Sequence, residues 1–275
     1  MQTPSMPASL LTLDGPDAAA FAQAQFSSDV SGLAPGQWQW SAWLDAKGRC
    51  RAFLQLARPA ADRFTALLRG GDAAAMAEDL KHFVFRSKVR IAAIGDMTVI
   101  DGSALHDGLI TVDADDDITY GGGIRSWRVV NAASTQANEH ATRDWIEHDI
   151  DAGFAWLPDT AIGELLPQSL SFERLGAVSF NKGCFPGQEI VARMHYRGAG
   201  KQRLHTVSFD VIASPGATLR RNNAATGIVL NTHLMDGASK ALVILNDTGL
   251  GDERAGIFDV QGIDANLASL HTWPH

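Results

Sequence analysis

Two cysteines and one short cationic segment carry most of the chemistry this sequence offers. Cys184 lies in Lys182-Gly183-Cys184-Phe185-Pro186-Gly187-Gln188-Glu189, between two glycines and next to a Pro-Gly pair. Glycines on both sides let the backbone take a positive φ or come close to another group. From Asn181 to Arg203 the chain carries Lys182, Arg193, Arg197, Lys201 and Arg203 against one acid, Glu189, so the segment runs at +4 in a chain of net charge −8. Cationic surroundings favour the nucleophilic thiolate over the thiol. They also attract anionic ligands such as a polyglutamate or phosphate tail. The residues therefore read as an accessible, reactive thiol beside an anion-attracting groove, or as a turn cysteine among ordinary surface cations. His195, eleven positions on, is a conceivable partner for a Cys–His pair.

Cys50 is a different object. It shares a face with Ala52, Leu54 and Leu56 in a run of period two, where a free cysteine acts as a small buried hydrophobe. Two distant cysteines do not supply the ligands of an iron–sulfur cluster. The nine histidines show no HExxH or paired Cys/His spacing, so no metal site is expected. Five aspartates between Asp107 and Asp117 lack the Gly and distal Glu of a calcium loop and read as a solvated turn.

Several elements must position these residues. Pro16 and Asp17 open a helix with Phe21, Gln25 and Phe26 on one side, capped by the aspartate. Trp38 to Leu56 alternates with period two around Asp45-Ala46-Lys47-Gly48, the signature of a hairpin. Asp72 caps a helix whose buried stripe is Met76, Leu80, Phe83 and Val84. Ile91 to Ile100 reads as a strand, and Ser134 starts a helix with Ala137, Ala141 and Trp145 in one line. For residues 189–196 the signals conflict: Ile190-Val191 favours strand, Pro186 and Glu189 an opening helix. After Gly200 come short β runs (Leu204–Phe209, Thr226–Leu230, Ala241–Leu245, Gly256–Val260) separated by Pro215-Gly216, Asp236-Gly237 and Asp247-Thr248-Gly249, the spacing of a small barrel or sandwich.

The bounds agree with this division. A chain of 275 residues suggests about two domains. Its 45% hydrophobic and 20% charged residues exclude overall disorder. Net charge −8 argues against a general nucleic-acid binder, as does the lack of an aromatic-interleaved basic face. No stretch approaches the ~20 apolar residues of a membrane span. Met1 to Leu13 has no basic residue ahead of its apolar run, unlike a signal peptide. With two cysteines, the expectation is a cytoplasmic protein of mixed α/β type.

Residues 182–189, followed by Arg193, resemble the K-G-C-[FY]-x-G-Q-E-x-x-x-R signature of the YgfZ family, folate-binding proteins related to the aminomethyltransferase (T-protein) of the glycine cleavage system. Leu166-Pro167-Gln168, Val178-Ser179-Phe180 and Arg197-Gly198-Ala199 resemble its surrounding pattern. So do Gln25-Phe26-Ser27-Ser28-Asp29-Val30, Asp45-Ala46-Lys47-Gly48-Arg49, Phe85-Arg86-Ser87-Lys88-Val89 and the stretch from Trp145 to Gly153. The resemblance covers roughly residues 10–205, and the β-rich tail agrees in kind.

The resemblance implies a mixed α+β fold: a T-protein-like ring of two interleaved α/β folate-binding subdomains over residues 1–200 and a C-terminal β-barrel over residues 201–275. Tetrahydrofolate or a related reduced folate would be the cofactor. Carried over by motif, Cys184 is the working thiol and Lys182, Gln188 and Arg193 support it, while Trp145, Asp29 and Gln168 belong to the folate site. Pteridine recognition wants an aromatic wall and acceptors for the ring's donor edge. Members of the family support iron–sulfur cluster assembly or repair in client enzymes, including enzymes that modify tRNA. The implied partners are those clients or the assembly machinery, met transiently, with no direct nucleic-acid contact and no membrane. The alternative reading is a tetrahydrofolate-dependent aminomethyl transferase, although fold alone does not fix function. A third reading, direct contact with tRNA, draws on the +4 segment.

Overall fold

The computed structural model describes residues 6–134, 139–198, 200–246 and 255–275. The chain packs as two compact units, each assembled from separate stretches: residues 1–44, 52–142 and 176–186 in the first, 45–51, 143–175 and 187–275 in the second.

The first unit is built on β1 (Met6–Asp14), α1 (Ala18–Gln25), β2 (Gln37–Leu44), β3 (Cys50–Ala60), β4 (Arg63–Leu68), α2 (Ala73–Lys81), β5 (Arg90–Asp101), β6 (Ile110–Val112), β7 (Ile118–Gly122) and β8 (Arg125–Asn131). The strands form one sheet in the order β2-β3-β4-β1-β5-β8-β7-β6. Alternate residues of its strands face one core: Leu11 and Leu13, Ala52, Leu54 and Leu56, Phe64, Ala66 and Leu68 pack with Phe21 and Ala22 of α1 and Met76, Ala77 and Leu80 of α2. This is the period-two alternation of a sheet closed on one face by helices. The aromatics at neighbouring positions form a second cluster, with Trp38 and Trp127 rings 5.3 Å apart and Trp40 stacked on Phe53 at 4.9 Å.

Two local expectations are corrected. Asp17 makes no side-chain cap bond on α1; its carboxylate instead accepts the Lys88 amide at 2.6 Å. The α2 stripe stops early because the helix ends at Lys81, which turns Phe83 outward and leaves it 45% exposed. Asp72 does cap α2, accepting the Ala74 amide at 2.8 Å. The acidic stretch is the solvated turn expected, with Asp113 to Asp116 exposed, and it is held internally: Asp113 accepts the amides of Asp115 and Asp117, and Arg128 binds the carboxylates of Asp113 and Asp117.

The second unit contains α3 (Glu139–Ala152) from Arg143 on, α4 (Gln188–Arg197) and six strands: β9 (Gln202–Phe209), β10 (Thr218–Arg221), β11 (Ala224–Met235), β12 (Ala238–Asn246), β13 (Ala255–Val260) and β14 (Ile263–Thr272). The strands close into a barrel in the order β10-β11-β12-β9-β14-β13. Val207, Phe209, Leu219, Val229, Val243, Leu245, Phe258 and Leu267 fill its interior. The helix expected from Ser134 begins at Glu139 after a short 3-10 turn at Ala132–Ser134. Ala137, Ala199 and the Asp247-Thr248-Gly249 turn lie outside the described residues.

Candidate functional site

The loop that carries Cys184 is tied to the segment following α1 by main-chain and side-chain bonds. Ser27 accepts the Ser179 amide through its carbonyl at 2.9 Å, and its hydroxyl donates to the Ala177 carbonyl at 2.6 Å. The Lys182 ammonium donates to the carbonyls of Phe26 at 2.5 Å and Ser28 at 2.7 Å, and it sits 5.2 Å from the centre of the buried Phe185 ring. Burial pushes the Lys182 pKa down to about 8, against a smaller upward pull from Asp29. A neutral amine still has two N–H donors for the two carbonyls and leaves one lone pair free. Lys182 thus anchors the loop in either protonation state.

Within this frame Cys184 is an exposed thiol and Cys50 a buried one, and neither is in a disulfide. The two glycines of the motif are not equivalent. At Gly183 an added Cβ would meet nothing within 4 Å, so the backbone beside the thiol is open to an approaching group. Gly187 has φ +77° and stands as the N-cap of α4. A Cβ there would lie 2.4 Å from the Asp45 carbonyl oxygen and 2.5 Å from the Gly48 Cα. Gly48, itself at φ +75°, is packed against Val191 and Ile190 of α4. The hairpin tip and the start of α4 therefore approach at two residues that must lack side chains. Asp45 holds the tip by accepting the amides of Lys47 and Arg49, each at 2.8 Å. This contact resolves the conflict at 189–196 in favour of helix.

Gln168 is buried at 2% exposure and donates to the Val191 carbonyl of α4 at 3.0 Å. Its Oε1 is buried with no hydrogen-bond partner. A buried unpaired acceptor costs ~1–3 kcal/mol, so this oxygen is suited to an N–H donor from a ligand. Trp145 sits on α3 at 5% exposure, and one turn later the buried Asp149 accepts the Trp156 indole N–H at 2.8 Å.

The predicted site residues are distributed over both units. Asp29, Lys182 and Cys184 belong to the first; Trp145, Gln168, Gln188 and Arg193 to the second. Asp29 and Lys182 are brought into electrostatic contact, and Gln168 is bonded to the helix that carries Gln188 and Arg193. Asp29 is exposed and organises its own turn. The Ser31 hydroxyl and amide, the Gln23 amide and Lys182 together hold its carboxyl below the ordinary range, against a smaller opposing effect of burial. His195 is engaged elsewhere, its Nδ1 lying 2.8 Å from Glu173 Oε2. The carbonyls of Phe26 and Ser28 and the Gly48–Gly187 approach escape a sequence reading, although the Asp45–Arg49 motif marks one half of the latter.

Two cavities lie away from the motif. One of about 560 Å³ is lined by Thr12, Arg63, Thr65, Arg90 and Asp115 to Asp117, the other of about 600 Å³ by Phe209, Met235, Ile257 and Asn266 on the barrel. Among the described residues no group of three His, Cys, Asp or Glu side chains forms a metal site, and no helix is long and apolar enough to cross a membrane.

One expected result follows from Lys182. With carbon-13 at the lysine Cε, one resonance, absent from Lys182→Met, is expected to titrate near pH 8. Because the folded pKa is depressed, the unfolded chain binds more protons between about pH 8 and 10.4, so the wild type gains stability relative to Lys182→Met as pH rises through that window. Titration of that resonance above pH 10 would contradict the burial of this ammonium.

No protein-family model matches the chain. Curated proteins do. The tRNA-modifying protein YgfZ of Klebsiella pneumoniae (strain 342) is 29% identical over 86% of this chain and 83% of its own length. That of Cronobacter sakazakii (strain ATCC BAA-894) is 28% identical over 86% and 82%. Among solved structures, the glycine cleavage system aminomethyltransferase T from Bartonella henselae superposes with a TM-score of 0.76 over 98% of this chain and 85% of that one, at 16% identity. By sequence the chain is similar to the YgfZ proteins, and its fold is that of the glycine cleavage aminomethyltransferase.

Proposed function

We propose that this chain is a folate-binding accessory protein that supports assembly or repair of iron–sulfur clusters in client enzymes, tRNA-modifying enzymes among them. Cys184 is its working thiol. The observation that carries this reading is the contrast between the two cysteines: one is buried in the sheet, the other exposed on an anchored loop with open backbone beside it. The names of the curated relatives, tRNA-modifying proteins, support the tRNA-related part of the role. The cluster is cargo or client property in this reading, and the thiol meets it or its sulfur in passing.

The residues present fit a reduced folate. The unpaired Gln168 Oε1 is an acceptor for an N–H of the pterin edge. Trp145 supplies apolar wall from within the fold, and Arg193, Arg197 and Lys201 supply cations for a glutamate tail. When bound, tetrahydrofolate offers nitrogen positions that carry one-carbon units. Lys182 acts on the protein side by holding the Cys184 loop, and Gln188 opens α4 just beyond it. Aminomethyl transfer, the reading favoured by the scaffold, has no use for a thiol.

Calorimetric titration of tetrahydrofolate into the wild type and Gln168→Leu tests the cofactor. Saturable binding is expected, weakened roughly tenfold or more in the variant, the equivalent of a hydrogen bond of ~1–3 kcal/mol. Absence of binding to the wild type would overturn the folate part. Trp145→Ala is a poor probe, since truncating a buried tryptophan costs about 3–5 kcal/mol of stability in its own right.

A further inference from the structure

The loop after α2 exposes its aromatics and buries its valines. Phe85 is 86% exposed and Phe83 45%, while Val84 and Val89 pack against the core of the first unit. Leaving two phenylalanines in water in place of two valines forfeits burial that the loop could otherwise gain. The cations are exposed as well. Between Asp79 and Asp96 the sequence has no acid, and it has Lys81, Arg86, Lys88 and Arg90. Lys81 pairs with Glu78, and Arg90 lies 3.9 Å from Asp14. Among the described residues Arg86 and Lys88 have no ion-pair partner; the Asp17 carboxylate accepts the Lys88 amide. An exposed aromatic bracketed by unpaired cations, in a chain of net charge −8, is complementary to a polyanion that also presents flat apolar faces.

We propose that residues 83–88 contact the unpaired bases of an RNA. Phe85 stacks on a base, and Arg86 and Lys88 meet the flanking phosphates. The expectation of no direct nucleic-acid contact rests on the net charge and on the lack of an aromatic-interleaved basic face, and this loop supplies such a face. The proposal stands independently of the folate and thiol chemistry. The acidity of the rest of the chain makes the contact weak and salt-dependent.

The test is fluorescence anisotropy with a labelled 12-nucleotide single-stranded RNA of mixed sequence, its duplex as competitor, at two salt concentrations. Wild-type protein should bind the single strand in preference to the duplex. Phe85→Ala should weaken binding about five- to a hundredfold. Arg86→Gln with Lys88→Gln should weaken it and flatten the salt dependence by about 0.7 for each phosphate that is no longer neutralised. Phe85 is exposed, so Phe85→Ala keeps the wild-type melting temperature, which circular dichroism checks. No binding at low salt, indifference to Phe85→Ala, or equal binding of the duplex overturns the proposal. So does Phe85-dependent capture by phosphatidylglycerol vesicles without RNA binding, which would assign the loop to a membrane surface.

Discussion

Cys184→Ala should fold and melt like the wild type, within about 2 °C, yet fail to restore activity in cells that lack the native chain. The thiol is exposed, so truncating it removes almost no buried surface and leaves no cavity. Its loop is held by Lys182 and the Ser27 contacts, none of which uses the sulfur. The activity readout is the fraction of an iron–sulfur tRNA-modifying client recovered with its cluster, which should fall to the level of cells with no copy at all. Cys50→Ser supplies the reverse pattern: a hydroxyl in a fully buried position lowers the melting temperature while the soluble fraction keeps its activity. A Cys184→Ala protein that melts much earlier, or one that remains active, removes the thiol from the mechanism.

The largest expected effect on stability lies three residues away. Gly187→Ala should destabilise the protein by about 3 kcal/mol or more. A non-glycine residue at φ +77° costs ~1–2 kcal/mol. In addition, its Cβ would lie 2.4 Å from a main-chain oxygen and 2.5 Å from the Gly48 Cα, neither of which can turn aside as a flexible side chain would. At roughly 2–4 °C per kcal/mol for a chain of this class, the melting temperature should fall by about 6–12 °C. Gly183→Ala is the control: φ is not positive there and the space is open, so the change should be small. Equal effects at the two glycines would mean that the approach of the hairpin tip to α4 contributes nothing.

Much of this was legible along the chain, because the signals were local. The β2–β3 hairpin follows from alternation around a Gly turn, and the start of α2 from an aspartate cap that does its ordinary work. Where tertiary contacts compete with local chemistry, the sequence misleads. Asp17 has the cap residue type, but the Lys88 amide takes its carboxylate. Phe83 continues a helical stripe on paper, but the helix stops at Lys81 and the ring turns outward. Ile190 and Val191 carry strand propensity, and α4 forms over them because Gly187 opens the helix against the hairpin tip. Strands β10 and β14 lack a continuous apolar signal: β10 has two arginines, and β14 turns only Ala265 and Leu267 into the barrel. For the site, the motif names Cys184 and Lys182, but no pattern reveals that the lysine reaches the carbonyls of Phe26 and Ser28.

The tight approach of Gly48 to Gly187 also bears on how this protein can be engineered. The tip of a β-hairpin is ordinarily where a peptide tag, a fluorophore loop or a domain graft is best tolerated. Here the residues from Asp45 to Gly48 have the start of a helix within van der Waals reach, so lengthening the turn by even one residue displaces the segment that follows the motif cysteine. A graft belongs instead at a turn such as Asp236-Gly237 between β11 and β12, where a Cβ on the glycine would meet nothing within 4 Å.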